Sequence, residues 1–196
     1  MKLRAIFLDR DGVLNDAVIK NGKPYPPATV AEVTVPADAK SALMALKSAG
    51  FLLIGATNQP DVARGTTTRE TVAAINDKLM TMLPLDEMRV CYHDDADQCD
   101  CRKPLPGLLT QAAKDHAIDL ANSVMIGDRW KDIEAGQLAG CKTIWLRQDY
   151  KEQEPTHPAD FIAKTLTDAV EWIKKNNSRM DINLSNTPGL NFKEQK

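Results

Sequence analysis

Five short, mostly apolar runs recur along the chain: "LRAIFL" at 3–8, "FLLIGAT" at 51–57, "MRVCY" at 88–92, "SVMIGD" at 123–128 and "KTIWL" at 142–146. Runs of this length, ended by charged residues or glycine, predict strands buried on both faces. Helical patterns lie between them, over 37–49, 68–82, 106–117 and 130–139. Gly50 and Gly140 close the first and last, Thr67 with Glu70 offers a capping box for the second, and Pro104 and Pro106 precede the third. Strand and helix alternate throughout, which predicts an α/β fold: a Rossmann-like three-layer sandwich around a central parallel sheet. One more helix, over about 159–175, carries Phe161, Ile162, Leu166, Val170 and Ile173 on one side and is expected to cover the sheet. The polar stretch 176–196 lacks such a pattern and is read as a tail, leaving 1–175 as the single domain that 196 residues suit.

In such sheets ligands collect outside the carboxyl ends of the strands. "FLDRDG" places Asp9 and Asp11 there, two positions apart, so that both can face one cleft while Gly12 turns the chain away. Thr57 and Asn58 follow the second run, Lys103 lies in the loop after the third, Asp128 ends the fourth, and Asp132 stands in the first turn of the next helix. Singly these are a solvated turn, a surface lysine and a carboxylate favouring a helix N-terminus. Together they read differently. Carboxylates converging at strand ends repel one another unless a cation lies among them, and hard oxygen ligands suit Mg2+. Magnesium suggests phosphate, to whose oxygens the Thr57 hydroxyl can donate while Lys103 neutralises developing charge.

Cys91, His93, Cys99 and Cys101 form a second cluster, enough thiolate and imidazole to fill a tetrahedral Zn2+ shell with no position left open. A structural zinc is therefore expected, with partly buried free thiols as the alternative. Asp94, Asp95 and Asp97 are read as solvated charge, and Cys141 as packing. The 25 basic and 27 acidic side chains, spread without long runs, argue against a nucleic-acid or anionic-membrane partner. No apolar run approaches the roughly 18 residues of a membrane span. A cytoplasmic monomer acting on a small molecule is expected.

With Asp9/Asp11, Thr57, Lys103 and Asp128/Asp132 in this order, residues 3–150 resemble the haloacid dehalogenase (HAD) superfamily of phosphohydrolases. The resemblance implies that Asp9 attacks phosphorus to form an aspartyl phosphate, and that Asp11 protonates the leaving alkoxide and then takes a proton from water. It also implies that Mg2+ is held by Asp9, the main-chain carbonyl of Asp11, and Asp128, with Asp132 in support. The intervals between motifs leave no room for the large cap domain of many members. Substrate selection is then expected from the Pro-rich loop after Asp11 and from the zinc loop, 91–103.

A zinc loop running into "CDCRKP" is similar to the branch whose members act on heptose bisphosphate or histidinol phosphate. It implies that Lys103 stabilises the phosphoryl group and that Arg102, Arg129 and Asn58 meet the substrate. "TNQPDVARG" resembles the heptose type, whereas the five-residue gap between His93 and Cys99 resembles the histidinol type, which stands as the alternative. A phosphate-binding or scaffold module without turnover is the reading from another class, and the presence of both Asp9 and Asp11 argues against it.

Overall fold

The computed structural model describes residues 2–151 and 153–182, with side chains through 176. The five apolar runs are strands: β1 (Arg4–Leu8), β4 (Phe51–Asn58), β5 (Glu87–Cys91), β6 (Val124–Gly127) and β7 (Lys142–Leu146). Between β1 and β4 lies a hairpin of β2 (Val18–Lys20) and β3 (Lys23–Tyr25), and after β7 comes a short β8 (Phe161–Ala163). The helices are α1 (Ala39–Ser48), α2 (Arg69–Met82), α3 (Gly107–His116), α4 (Trp130–Ala139) and α5 (Leu166–Ile182).

The main sheet runs in the order β5-β4-β1-β6-β7-β8, and every pairing within it is parallel. The chain steps outward from β1 to β4 and β5, then returns to its other side for β6, which opens a crevice at the carboxyl ends of β1, β4 and β6. Period-two alternation splits the core. Ile6 and Leu8 of β1 join Leu43, Leu46, Ile75, Leu79, Val170 and Ile173 on the face covered by α1, α2 and α5. Ala5 and Phe7 join Leu108, Leu109, Met125 and Cys141 on the opposite face. This is the three-layer sandwich expected. No cap domain interrupts it among the described residues, and the expected packing role of Cys141 holds.

Two elements differ from the sequence reading. The segment 159–165 does not begin the last helix: Phe161–Ala163 pairs with Ile144–Leu146 as the edge strand β8. The helix starts at Leu166 because Asp168 accepts from the Lys164 and Thr165 amides while Thr165 Oγ1 accepts from the Asp168 amide, a capping box that fixes its first turn. The helix continues to Ile182, into the stretch read as tail, and residues 183–196 lie outside the described residues. The second difference is the β2–β3 hairpin, in what was read as plain loop. It turns at Asn21 and Gly22, with φ of 54° and 75°, the left-handed pair that a two-residue hairpin turn requires. The cap of α2 also moves one residue: Thr68, not Thr67, accepts from the Thr71 amide.

Candidate active site

β1, β4 and β6 end together at the crevice and deliver Asp9, Thr57 and Asp128, while α4 adds Asp132 from its first turn. Asp132 sits so close because residue 127 is glycine: a Cβ there would lie 2.0 Å from Asp132 Cβ. Gly12 likewise has φ of +98°, and a Cβ on it would lie 2.0 Å from Asp128 Oδ2. The oxygens of Asp9, Asp128 and Asp132 can be chosen within 4.8 Å of one another, and all three residues are buried.

Lys103 lies among them. Its ammonium donates to Asp9 Oδ1 at 2.7 Å and to the Ala56 carbonyl at 2.7 Å, and it pairs with Asp132 Oδ1 at 2.5 Å. Those are all three of its donors. Burial alone would depress this amine, but Asp132 and Asp9 more than offset that and hold it charged. Burial, followed by the charge of Asp132, raises the Asp9 carboxyl to about 6 against the pull of Lys103. Asp128 is raised well above the carboxylate range, by burial first and then by Asp9 and Asp132. Neither of its oxygens has a hydrogen bond of good geometry, although the Tyr150 hydroxyl is close enough to influence it. A buried carboxylate without a well-formed hydrogen bond, beside two more carboxylates, fits the donor set of a divalent cation.

The remaining predicted residues divide in role. Asp11, at the cleft, accepts from Asn15 Nδ2 at 3.1 Å and Gln59 Nε2 at 2.9 Å as well as from Arg10. Thr57 is buried, and its hydroxyl oxygen accepts from the same Gln59 amide at 2.9 Å. Asn58 lines the cleft with its amide bound to the neighbouring main chain. Its Nδ2 donates to the Lys103 carbonyl at 3.0 Å and its Oδ1 accepts from the Lys103 amide at 3.1 Å, so this side chain pins the lysine's main chain. Arg129 lines the cleft beside Lys131, Arg64 and Tyr25. Arg102 is turned onto the zinc loop, Nε to Asp95 Oδ1 at 2.6 Å and Nη2 to Asp94 Oδ1 at 3.7 Å, and lines a neighbouring hollow. The cleft encloses about 170 Å³.

The cysteine cluster begins where β5 ends, at Cys91, which pairs in register with Asn58 and whose carbonyl accepts from the Gln59 amide at 2.7 Å. Cys91 Sγ lies 3.7 Å from Cys99 Sγ and 3.7 Å from His93 Nδ1, and Cys101 Sγ lies 3.3 Å from His93 Nδ1, 3.5 Å from Cys99 Sγ and 3.0 Å from Cys91 Sγ. Zinc–sulfur bonds of ~2.3 Å at tetrahedral angles put ligand atoms about 3.7 Å apart, so the group is gathered as a metal shell would gather it. Asp94 and Asp95 stay outside this cluster, Asp95 exposed as expected, and both also take ion pairs. Asp94 takes a two-pronged pair from Arg64 at 2.7 and 2.8 Å, and Asp95 takes Arg102. Hydrogen bonding from Arg64 draws the Asp94 carboxyl down to about 2.

Sequence reasoning missed Gln59, Arg10, Asn15 and Asn76. Asn76 left a signal, a polar residue on the buried face of α2 between Ile75 and Leu79. Gln59 left only its nearness to Thr57.

Comparison with known proteins agrees with this geometry. A HAD-hydrolase-like family model matches residues 100–169. The chain is 33% identical over 187 residues to the D-glycero-β-D-manno-heptose-1,7-bisphosphate 7-phosphatase of Haemophilus ducreyi, covering 88% of this chain and 100% of that one. It is 35% identical over 154 residues to the enzyme of the same name from Bordetella bronchiseptica, covering 74% and 81%. Among solved structures, the D,D-heptose 1,7-bisphosphate phosphatase of B. bronchiseptica, complexed with magnesium and phosphate, superposes with a TM-score of 0.76 at 28% identity, over 89% of this chain and 99% of that one. Carboxylates gathered at three strand ends, a buried lysine among them and full-length similarity to these enzymes place the chain in the HAD phosphatase family that includes the heptose-bisphosphate phosphatases.

Proposed function

We propose that the protein is a Mg2+-dependent phosphomonoesterase that removes the 7-phosphate of D-glycero-D-manno-heptose 1,7-bisphosphate. The observation that carries the chemistry is Asp128, whose buried, unpartnered carboxylate stands beside Asp9. The relatives' names carry the substrate.

In this reading Asp9, the Asp11 carbonyl and Asp128 hold the cation, which supplies charge neutralisation at the phosphoryl oxygens. Asp9 then attacks phosphorus, an Asp9 oxygen–phosphorus bond forms, and the bond to the sugar oxygen breaks. The Asp11 carboxyl gives its proton to that oxygen. In the second half Asp11 takes a proton from water, whose oxygen bonds phosphorus as the Asp9 ester breaks, releasing inorganic phosphate and free Asp9. Lys103 keeps Asp9 oriented through its 2.7 Å contact and lends positive charge, and Thr57 faces the phosphoryl oxygens. Asp132 supports this arrangement by anchoring Lys103 and by accepting from the Arg129 amide at 3.1 Å.

Cys91, His93, Cys99 and Cys101 hold a structural Zn2+ that shapes the loop 91–103, and reduced thiolates of this kind suit the cytoplasm. Arg102 and Arg129 are assigned to the substrate's polar groups, Arg102 after release from Asp95. The enzyme is read as a monomer of one domain, the expected 1–175 carried on by α5 to Ile182, with neither nucleic acid nor membrane as partner; no helix among the described residues is long and apolar enough to cross a bilayer. Steady-state kinetics on the heptose bisphosphate, histidinol phosphate and fructose 1,6-bisphosphate test the substrate. The highest kcat/KM is expected for the heptose, and a preference for histidinol phosphate overturns that choice. Asp9→Asn is expected to fold and to lack turnover.

A further inference from the structure

Asp11 stands on a support that the reaction scheme leaves unexplained. Arg10 is completely buried, with its guanidinium in the interior rather than in the cleft. Its Nε donates to Asp11 Oδ1 at 3.1 Å and to Oδ2 at 3.2 Å, and its Nη2 donates to Oδ2 at 2.9 Å. On its far side Nη1 donates to Asn76 Oδ1 at 3.0 Å. Asn76 comes from α2, on the face otherwise formed by Val72, Ile75 and Leu79. A buried cation needs partners for its charge and its donors, and here they are Asp11 and the Asn76 amide oxygen. With Asn15 and Gln59 added, the two Asp11 oxygens accept from a fork and two amides, close to the four lone-pair sites a carboxylate has.

We propose that Arg10, braced by Asn76, is the positioning residue that fixes the direction of the Asp11 carboxyl toward the leaving oxygen. A planar fork sets both the distance and the plane of a carboxylate, which a lysine at the same place does not. Arg10 touches no substrate, since its guanidinium lies behind Asp11. To protonate the leaving oxygen, one Asp11 oxygen must carry a proton and turn it to the cleft, and the neutral Gln59 or Asn15 amide gives up that oxygen more cheaply than the buried ion pair does. The fork therefore holds while the amide exchanges. This inference rests on the reading of Asp11 as the proton donor.

The test uses purified Arg10→Lys, Asn76→Leu and Asp11→Asn, each checked for folding by circular dichroism and thermal unfolding. kcat/KM is measured on the sugar bisphosphate, whose alkoxide needs a proton to leave, and on acetyl phosphate and 4-nitrophenyl phosphate, whose leaving groups do not. Because kcat/KM reports steps up to formation of the aspartyl phosphate, it isolates the protonation of the leaving group. Arg10→Lys is expected to lose on the order of tenfold or more on the sugar bisphosphate, part of the ~10²–10⁴ that a placed proton donor supplies, and under about threefold on the activated substrates. Asn76→Leu shows the same pattern at smaller size, and it carries the test if Arg10→Lys fails to fold. Equal losses on all substrates, or no loss on any, overturn the positioning role. If Asp11→Asn itself shows no dependence on the leaving group, the reading of Asp11 falls instead.

Discussion

Asp9 carries two demands at the level of a single residue, because a nucleophile must be ionised and its surroundings favour the proton. Its carboxyl rises from 3.8 to about 6 in the fold. A folded value above the unfolded one means that the native state binds more protons between the two. Without added cation, the stability Asp9 contributes is therefore whole below about pH 4 and lost as pH climbs through about 6, on the order of 3 kcal/mol across that window. Urea unfolding of cation-free protein from pH 4 to 7 should show this fall, and Asp9→Asn should flatten it. Lys103 is equally constrained. Lys103→Ala removes the charge that sits 2.7 Å from Asp9, and kcat should drop on the order of a hundredfold or more, as for lost transition-state charge stabilisation. A change under threefold would place Lys103 outside the reaction. Legible in the sequence was the gathering of Asp9, Asp11, Thr57 and Asp128, at or just past strand ends, with Lys103 from the loop after β5. For Asn58 a place at a strand end says nothing about where its amide points, and here, at the cleft, the amide holds the Lys103 main chain.

Among the elements, the loop from β5 to α3 is the one with a task beyond connection. It starts beside Asn58, gathers three thiols and an imidazole, lays Asp94 and Asp95 against Arg64 and Arg102, and ends on Lys103. Cys99→Ser should loosen the whole loop. Hydrogen exchange is expected to rise over 91–103, and stability to fall by several kcal/mol, a fraction of the ~10–16 kcal/mol that structural zinc contributes in small zinc domains. Metal analysis of the unaltered protein should find zinc, and its absence in native preparations would count against the site. The junction of β6 with α4 is tighter still. Gly127→Ala sets a methyl against Asp132 and should cost about 1–3 kcal/mol as overpacking, with turnover falling further because Asp132 anchors Lys103. Strands and helices with strong periodicity were legible to within a residue or two. β8 was not, since "FIA" is three residues long and its apolar pair extends the helical stripe of α5 backwards; "TLTD", the capping signal, was the better guide. The hairpin's sign was "KNGK", a two-residue turn between strands too short to show alternation.

For the whole molecule, the alternation of apolar runs and helical patterns was enough to predict one parallel sheet, and the reversal of its strand order was enough to gather the chemistry at one edge. What alternation leaves open is which partners a side chain finds once there, as with Arg102, drawn to the acidic loop rather than to the cleft. No cap domain stands over the cleft among the described residues, and the cleft is lined by Tyr25, Arg64, Arg129 and Lys131. Consider the innermost charges as a valence problem: when all are ionised, Asp9, Asp128 and Asp132 bring three negative charges and Lys103 one positive, all within the buried crevice. The remainder is two, the charge of a single divalent ion. Lys103 is thus a fixed counter-ion inside the carboxylate cluster, and the charge it leaves over there equals that of one divalent ion.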